Sequence, residues 1–272
     1  MKKAFIVTAV LAACVQLYAQ PAVTSEEYQA KYDRQVRNVG FGGVGVETIL
    51  DKWEADYPDA LEPKLGRVNY YYAKSQSSAM ITSSDPRYLG TKPVLTLKDD
   101  DGNDVNYFQD YNYDDEYFSQ CQTLLDDYMR EDPDELRYRF VKVSSLLAYE
   151  KGDPVLTEAE MNKLIDQNKK AWCLDGQPTD EATFVDAVQE LCFSIYAVGT
   201  PACYEAFLRL STRMNKLYPK NTAFIDNIGS YWLVQGKNYK KAISYYKKAL
   251  KIDPEDVAAI RNMKLAERES KK

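Results

Sequence analysis

The stretch NIGSYWLVQGKNYKKAISYYKKALKIDP, residues 227–254, has the clearest structural pattern in this chain. Its apolar and aromatic residues recur every three or four positions, which predicts two helices, and Gly236 marks the turn between them. Pro254 closes the stretch at the position where a proline starts a following helix. One such helix pair cannot bury its own apolar face, so the sequence predicts further pairs that stack against it.

The same stretch resembles the tetratricopeptide repeat, a helix–turn–helix unit of about 34 residues. Small residues at its helix crossings let the backbones approach, and aromatic residues fill the space between the helices. Residues 222–254 give the best match, with one residue inserted after the turn. The residues that carry the match are Ile228, Gly229, Trp232, Gly236, Tyr239, Ala242, Tyr246 and Ala249.

A helix end followed by a proline recurs along the chain, at Pro58, Pro133, Pro219 and Pro254. An apolar segment with helical spacing follows each of them. The last two prolines are 35 residues apart, one repeat plus an insertion, and we interpret the earlier gaps of 75 and 86 residues as two repeats each, with insertions. The predicted fold is therefore mainly α, a tetratricopeptide-like α-solenoid that forms a single domain over residues 20–272.

The spaces between these segments predict insertions. Residues 75–92 are rich in Ser, Thr, Gly and Pro and predict a loop. Residues 93–109 contain two extended runs around an Asp-Gly turn, which predicts one inserted β-hairpin. Residues 157–172 predict a helix that begins with a capping box of Thr157 and Glu160.

The first 19 residues have the features of a secretory signal peptide. Two lysines precede an apolar run, and Ala19 is the small residue before the expected cleavage site. The run is too short for a membrane span, which needs about 20 apolar residues. The segment LAAC also resembles a lipobox, in which Cys14 would carry a lipid anchor. We expect an exported protein of the periplasm or cell envelope; ordinary signal cleavage is favoured, and an outer-membrane lipoprotein is the alternative.

Charge and composition exclude several classes of function. The chain has no histidine, which excludes Ser-His-Asp and Cys-His nucleophile systems and His-ligated zinc. Without residues 1–19 it holds 33 basic and 41 acidic residues, which argues against a nucleic-acid partner. After the first apolar run, no stretch of the sequence is apolar enough to cross a bilayer. The sequence predicts no enzyme and no cofactor.

Two motifs resemble ligand-binding loops, but the residues around them do not fit such sites. GFGGVG, residues 40–45, lacks the hydrophobic strand that precedes a dinucleotide-binding loop. DDDGND, residues 99–104, would place Leu97 and Phe108 at the first and twelfth positions of a calcium loop, where carboxylates are required. We therefore predict no metal site. The pairing of the cysteines stays open; they are Cys121, Cys173, Cys192 and Cys203.

The groove residues of the repeat give the candidate binding site. Tetratricopeptide domains that clamp a C-terminal carboxylate use Lys and Asn, whereas the matching positions here hold Asp226 and Ser230. An acid there would repel a carboxylate, so that clamp is not expected. Arg137 and Arg261 are the better placed cations. The predicted binding residues are Tyr72, Arg137, Ser144, Asp226, Ser230 and Arg261.

Three functions are open from the sequence. The helix–hairpin–helix layout resembles exported tetratricopeptide-like proteins of Bacteroidota cell envelopes, and this resemblance implies a compartment and a fold. The favoured hypothesis is a non-catalytic scaffold for protein–protein interaction. The second is a binder of glycans or small ligands through exposed tyrosines at residues 70–72 and 107–117. The third, ranked last, is a hydrolase that uses paired carboxylates.

Overall fold

The structure is a computed structural model that describes residues 23–167 and 171–272. The predicted signal peptide and Cys14 lie outside these residues. Within the described ranges the chain forms eleven helices and two small antiparallel sheets. The helices are α1 (Ser25–Val39), α2 (Val46–Asp56), α3 (Leu61–Ser75), α4 (Asp115–Glu131), α5 (Leu136–Tyr149), α6 (Val155–Gln167), α7 (Glu181–Val198), α8 (Pro201–Leu217), α9 (Thr222–Val234), α10 (Tyr239–Ile252) and α11 (Val257–Glu269).

Consecutive helices pack as five pairs, from α1–α2 to α9–α10, and α11 packs on the last pair. The fold is a tetratricopeptide-like α-solenoid, as the sequence predicts. Pro58, Pro133, Pro219 and Pro254 each lie between the second helix of one pair and the first helix of the next. The segment between Pro58 and Pro133 holds one helix pair with an inserted sheet, whereas the sequence predicted two pairs.

The predicted hairpin is part of a larger sheet between α3 and α4. Its strands are β1 (Gln76–Ser83), β2 (Leu95–Lys98) and β3 (Asp104–Tyr113), in the antiparallel order β1–β3–β2. The prediction of a loop over residues 75–92 is therefore wrong for the part that forms β1. Its Ser and Thr residues suggested a loop, but β1 pairs with β3 along its whole length, and Ile81 lies opposite the buried Phe108.

The predicted helix over residues 157–172 is wrong at both ends. Helix α6 begins two residues earlier, and the Thr157 N–H and hydroxyl both donate to Glu150, at 2.8 and 2.6 Å, so no capping box forms. Trp172 lies in a second hairpin, made of β4 (Trp172–Leu174) and β5 (Gln177–Thr179). Its ring stacks on Phe184 at 5.3 Å in the largest core cluster, and this packing favours a strand over a continued helix.

The best-matching repeat packs as the sequence predicts. Gly229 of α9 faces Tyr246 of α10, and a Cβ atom on Gly229 would lie 2.7 Å from the tyrosine ring. Such a contact is too short for any side chain, so glycine is required where these two helices cross. Tyr246, Ala242 and Ala249 are fully buried in this crossing.

The inserted sheet binds the middle pairs together at the turns between their helices. Asp110 of β3 accepts hydrogen bonds from Lys151 at 2.8 Å and from Tyr88 at 3.3 Å. Gly90, in the loop after β1, lies so close to the Ala197 carbonyl of α7 that a side chain would collide with it. All four described cysteines are free thiols. Of the helices that the structure describes, none combines the length and the apolar character that crossing a membrane requires.

Candidate ligand-binding groove

The six predicted binding residues line two cavities, and the structure brings together three of them in each. Both cavities open between the first helices of the pairs, α3, α5, α7 and α9, and the closing helix α11. We call the surface formed by these five helices the first-helix face. None of the residues that line either cavity belongs to the inserted sheet.

The smaller cavity, of about 290 Å³, lies between α3 and α5 and is lined by Tyr72, Arg137 and Ser144. The Arg137 guanidinium is held by Asp175, with Nε–Oδ1 at 2.7 Å and Nη2–Oδ2 at 2.5 Å. The charge of Arg137, one of the two cations that the sequence placed at the binding site, is therefore paired within the chain. The Tyr72 hydroxyl lies 3.3 Å from that of Tyr113, and burial raises the pKa of Tyr72.

The larger cavity, of about 540 Å³, lies between α7, α9 and α11 and holds Asp226, Ser230 and Arg261. This volume is within the range of small-ligand sites, which is roughly 300–1,000 Å³. Phe193 and Tyr196 of α7 line the cavity as an aromatic pair with ring centroids 6.2 Å apart, and Phe193 is 55% exposed. These α7 residues were missed, although their helical spacing could have indicated them.

Asp226 is the most unusual residue of this cavity. It is 5% exposed, and its Oδ1 atom has no hydrogen-bond partner among the residues the structure describes. Burial first, and then the neighbouring Asp256 carboxyl, raise the pKa of Asp226 to about 8. The side chain is therefore mostly protonated at pH 7. Because Asp226 is largely neutral at pH 7, it does not repel a carboxylate in the way that the sequence predicted.

Asp256 keeps its negative charge. It is the N-cap of α11 and accepts a hydrogen bond from the Ala259 N–H at 3.0 Å. Burial on its own would raise the pKa of Asp256, but hydrogen bonds from the Ala259 N–H, Thr222 and Asp226 lower it. The two carboxyls thus form a hydrogen-bonded pair in which Asp226 carries the proton. Asp256 was not among the predicted binding residues, although an acid two residues after Pro254 is a typical N-cap signal.

The walls of the cavity are held by polar contacts. The side-chain amides of Gln189 and Asn227 exchange two hydrogen bonds, of 3.0 and 2.7 Å, and Asn227 also donates to Ser211 at 3.1 Å. These contacts fix α7, α8 and α9 relative to one another. Arg261 is exposed on α11 and forms no ion pair with any side chain in the described ranges.

The tyrosines proposed as a glycan platform mostly pack on one another. Tyr70 is buried, Tyr71 stacks on Tyr117 at 6.4 Å, and Tyr72 lies 6.1 Å from Tyr113. Their ring faces are thus used in the junction between α3, α4 and the sheet. Tyr111, on the sheet, is more open, with 37% of its surface exposed.

Replacing Asp226 by asparagine is expected to remove a pH dependence of stability. The pKa of Asp226 is about 8 in the folded protein, against 3.8 for an ordinary aspartate, so the unfolded chain releases a proton that the folded protein retains. The free energy of unfolding therefore falls as pH rises from about 4 to about 8, by at most about 1.4 kcal/mol per pH unit for one proton. Urea unfolding between pH 4 and pH 8 measures this decrease in the free energy of unfolding. If the wild type and Asp226→Asn show the same dependence on pH, the raised pKa of Asp226 is contradicted.

Comparisons with known proteins do not identify a family for this chain. No family model matches the chain, and no curated protein matches it. Among solved structures, the chain is similar to one described as the crystal structure of the yeast Tom70, with 12% sequence identity and a TM-score of 0.44. The match covers 91% of this chain and 40% of that chain. This similarity is too weak to support a fold or a function for the chain, so the fold assignment depends on the helix pairs themselves.

The fold and the groove define the class of this chain, a tetratricopeptide-like helical-repeat protein. Repeat proteins of this kind offer an extended binding surface that is shared by successive repeats. The larger cavity is shared in this way, because two successive helix pairs and the closing helix α11 contribute to its lining.

Proposed function

We propose that this protein is an exported, non-catalytic scaffold that binds an extended segment of another cell-envelope or secreted protein on its first-helix face. The larger cavity is the observation that carries the proposal. It combines an aromatic pair whose Phe193 ring is exposed, polar walls and a buried carboxyl with an unpaired oxygen. Its lining mixes aromatic with polar and charged residues, so it offers a bound segment both apolar contact and placed hydrogen-bonding groups.

The proposed location depends on the sequence alone. The basic residues, apolar run and small residue within residues 1–19 support export. The LAAC segment supports a lipid anchor at Cys14 as the alternative mode of attachment.

Selection from a random peptide library tests the binding proposal. We expect the immobilised protein to enrich a set of related peptides. Their binding should weaken about tenfold or more when Phe193→Ala removes the exposed ring, since truncating a central aromatic costs about 1.4 kcal/mol or more. Val155→Ser, which changes an exposed apolar residue on α6 away from the groove, is the matched control and should leave binding unchanged. Peptides that bind both variants equally would rule out this groove.

A carboxylate-based hydrolase is the second candidate, because Asp226 and Asp256 are two hydrogen-bonded carboxyls that share one proton, as the acid pair of an aspartic protease does. Against it, Asp256 is engaged by the α11 N-terminus and by Thr222. Mass spectra of the enriched peptides after incubation separate the two functions. We expect intact peptides; cleavage that disappears in Asp226→Asn would establish the hydrolase instead.

A further inference from the structure

We infer that the groove binds a lysine or arginine side chain of its partner, held between the carboxyls of Asp226 and Asp256. This inference rests on the proposed function and names the chemistry of the bound segment. It starts from the contact between the two carboxyls, which come from different helices, α9 and α11.

One carboxyl oxygen of Asp226 has no hydrogen-bond partner among the described residues. Asp226 is nearly fully buried at the cavity, and none of the described residues donates to its Oδ1 atom. A buried polar atom without a partner costs about 1–3 kcal/mol, and native structures contain few of them. An ammonium or guanidinium group carries several N–H donors and no acceptor, so it can satisfy two neighbouring carboxyls at once.

The surface around Asp226 and Asp256 carries more acidic than basic side chains. Asp186 and Glu190 lie three residues before Gln189 and Phe193, which places them on the groove side of α7. Both are exposed, and neither forms an ion pair with any side chain that the structure describes. Arg261 on α11 is the cation that lines the cavity. The acids outnumber it, and the whole chain carries a net charge of −6. A basic partner segment complements this surface.

The neutral groups at the pair also suit a long basic side chain. Helix α7 contributes Gln189 and the aromatic pair, and the Tyr246 hydroxyl of α10 reaches the cavity wall through Ser230 at 3.3 Å. The Phe193 ring is exposed beside the acids, where it can pack on an aliphatic stem or stack on a guanidinium. The groups that line the cavity together with Asp226 include Gln189 and Tyr196 of α7, Phe207 of α8, and Asp256 and Arg261 of α11. The Tyr246 hydroxyl of α10 lies near enough to interact electrostatically with Asp226.

Binding of a cation here is coupled to proton release. Because burial and Asp256 raise the pKa of Asp226 to about 8, the free site holds a proton at neutral pH. The cation takes the place of that proton, so its affinity increases as pH rises from about 6 towards about 9. A neutral ligand in the same cavity would show no such dependence.

Matched pentapeptides test the inference on the 15N-labelled protein. The probes are acetyl-Ala-Ala-Arg-Ala-Ala-amide and its citrulline counterpart, which has the same shape without the charge. We expect the arginine peptide to shift the amide resonances of residues 226–230 and 256–262, and to bind about tenfold or more tightly than the citrulline peptide. That ratio corresponds to the loss of one charge-assisted hydrogen bond.

Three variants of the protein complete the test. Asp226→Asn and Asp256→Asn should each weaken binding of the arginine peptide about tenfold, and asparagine preserves the N-cap of α11. Arg261→Gln should strengthen it, because a like charge is removed. Equal affinity of the two peptides, or shifts that persist unchanged in Asp226→Asn, would overturn the inference. Library peptides that bind the groove without basic residues would overturn it while leaving the scaffold proposal intact.

Discussion

Replacing Tyr246 by alanine is expected to lower the free energy of unfolding by about 3–5 kcal/mol, the usual cost of removing a buried aromatic side chain. Tyr246 is 0% exposed and fills the crossing between α9 and α10, directly against Gly229. Neighbouring alanines, Ala242 and Ala249, are too small to close the cavity that would remain. Urea unfolding monitored by circular dichroism measures the loss.

Tyr246→Phe is the matched control, since it keeps the ring and removes only the hydroxyl that lies 3.3 Å from Ser230. We expect this variant to lose about 0.5–1.5 kcal/mol, the net value of one hydrogen bond. If alanine and phenylalanine have the same effect, the ring does not hold the two helices together, and the assignment of this repeat is wrong.

Replacing Glu135 by alanine is expected to cost about 3–5 kcal/mol, because three backbone donors lose their acceptor. Glu135 is 0% exposed and caps α5 by accepting from the Arg137 N–H at 2.8 Å. It also accepts from the N–H groups of Asp175 at 3.1 Å and Gly176 at 2.8 Å, in the turn of the β4–β5 hairpin. One carboxylate thus fixes both a helix start and a hairpin.

Hydrogen exchange separates this local effect from a general loss of stability. In Glu135→Ala, the amides of Asp175 and Gly176 should lose more protection from exchange than the decrease in the global free energy of unfolding explains. Glu135→Gln keeps the oxygen that accepts from Arg137 and Asp175 and should retain part of the stability. Unchanged exchange at both hairpin amides would show that Glu135 does not anchor the turn.

Local signals explain which parts of the fold were predictable. The prolines at the pair boundaries and the small residues at the helix crossings depend on neighbours within one or two helical turns. The sequence pattern therefore reveals them. Strand β1 was missed because its partner β3 lies beyond β2 along the chain. The β4–β5 hairpin was missed because Glu135, far upstream, supplies its anchoring acceptor.

The candidate site shows the same division. The repeat pattern placed Asp226, Ser230 and Arg261 on one surface, and the structure puts all three at one cavity. The protonation of Asp226 could not be predicted, because it depends on burial and on Asp256, which approaches from α11. The pairing of Arg137 with Asp175 likewise depends on a hairpin that the sequence did not indicate.

A chemical-shift map of a library-selected peptide on the 15N-labelled protein tests the central claim most directly. We predict that the perturbed amides cluster on α7, α9 and α11 around the larger cavity, which is lined by Phe193, Asp226 and Arg261. Perturbations confined to the inserted sheet, residues 76–113, or to the second helices of the pairs would contradict it.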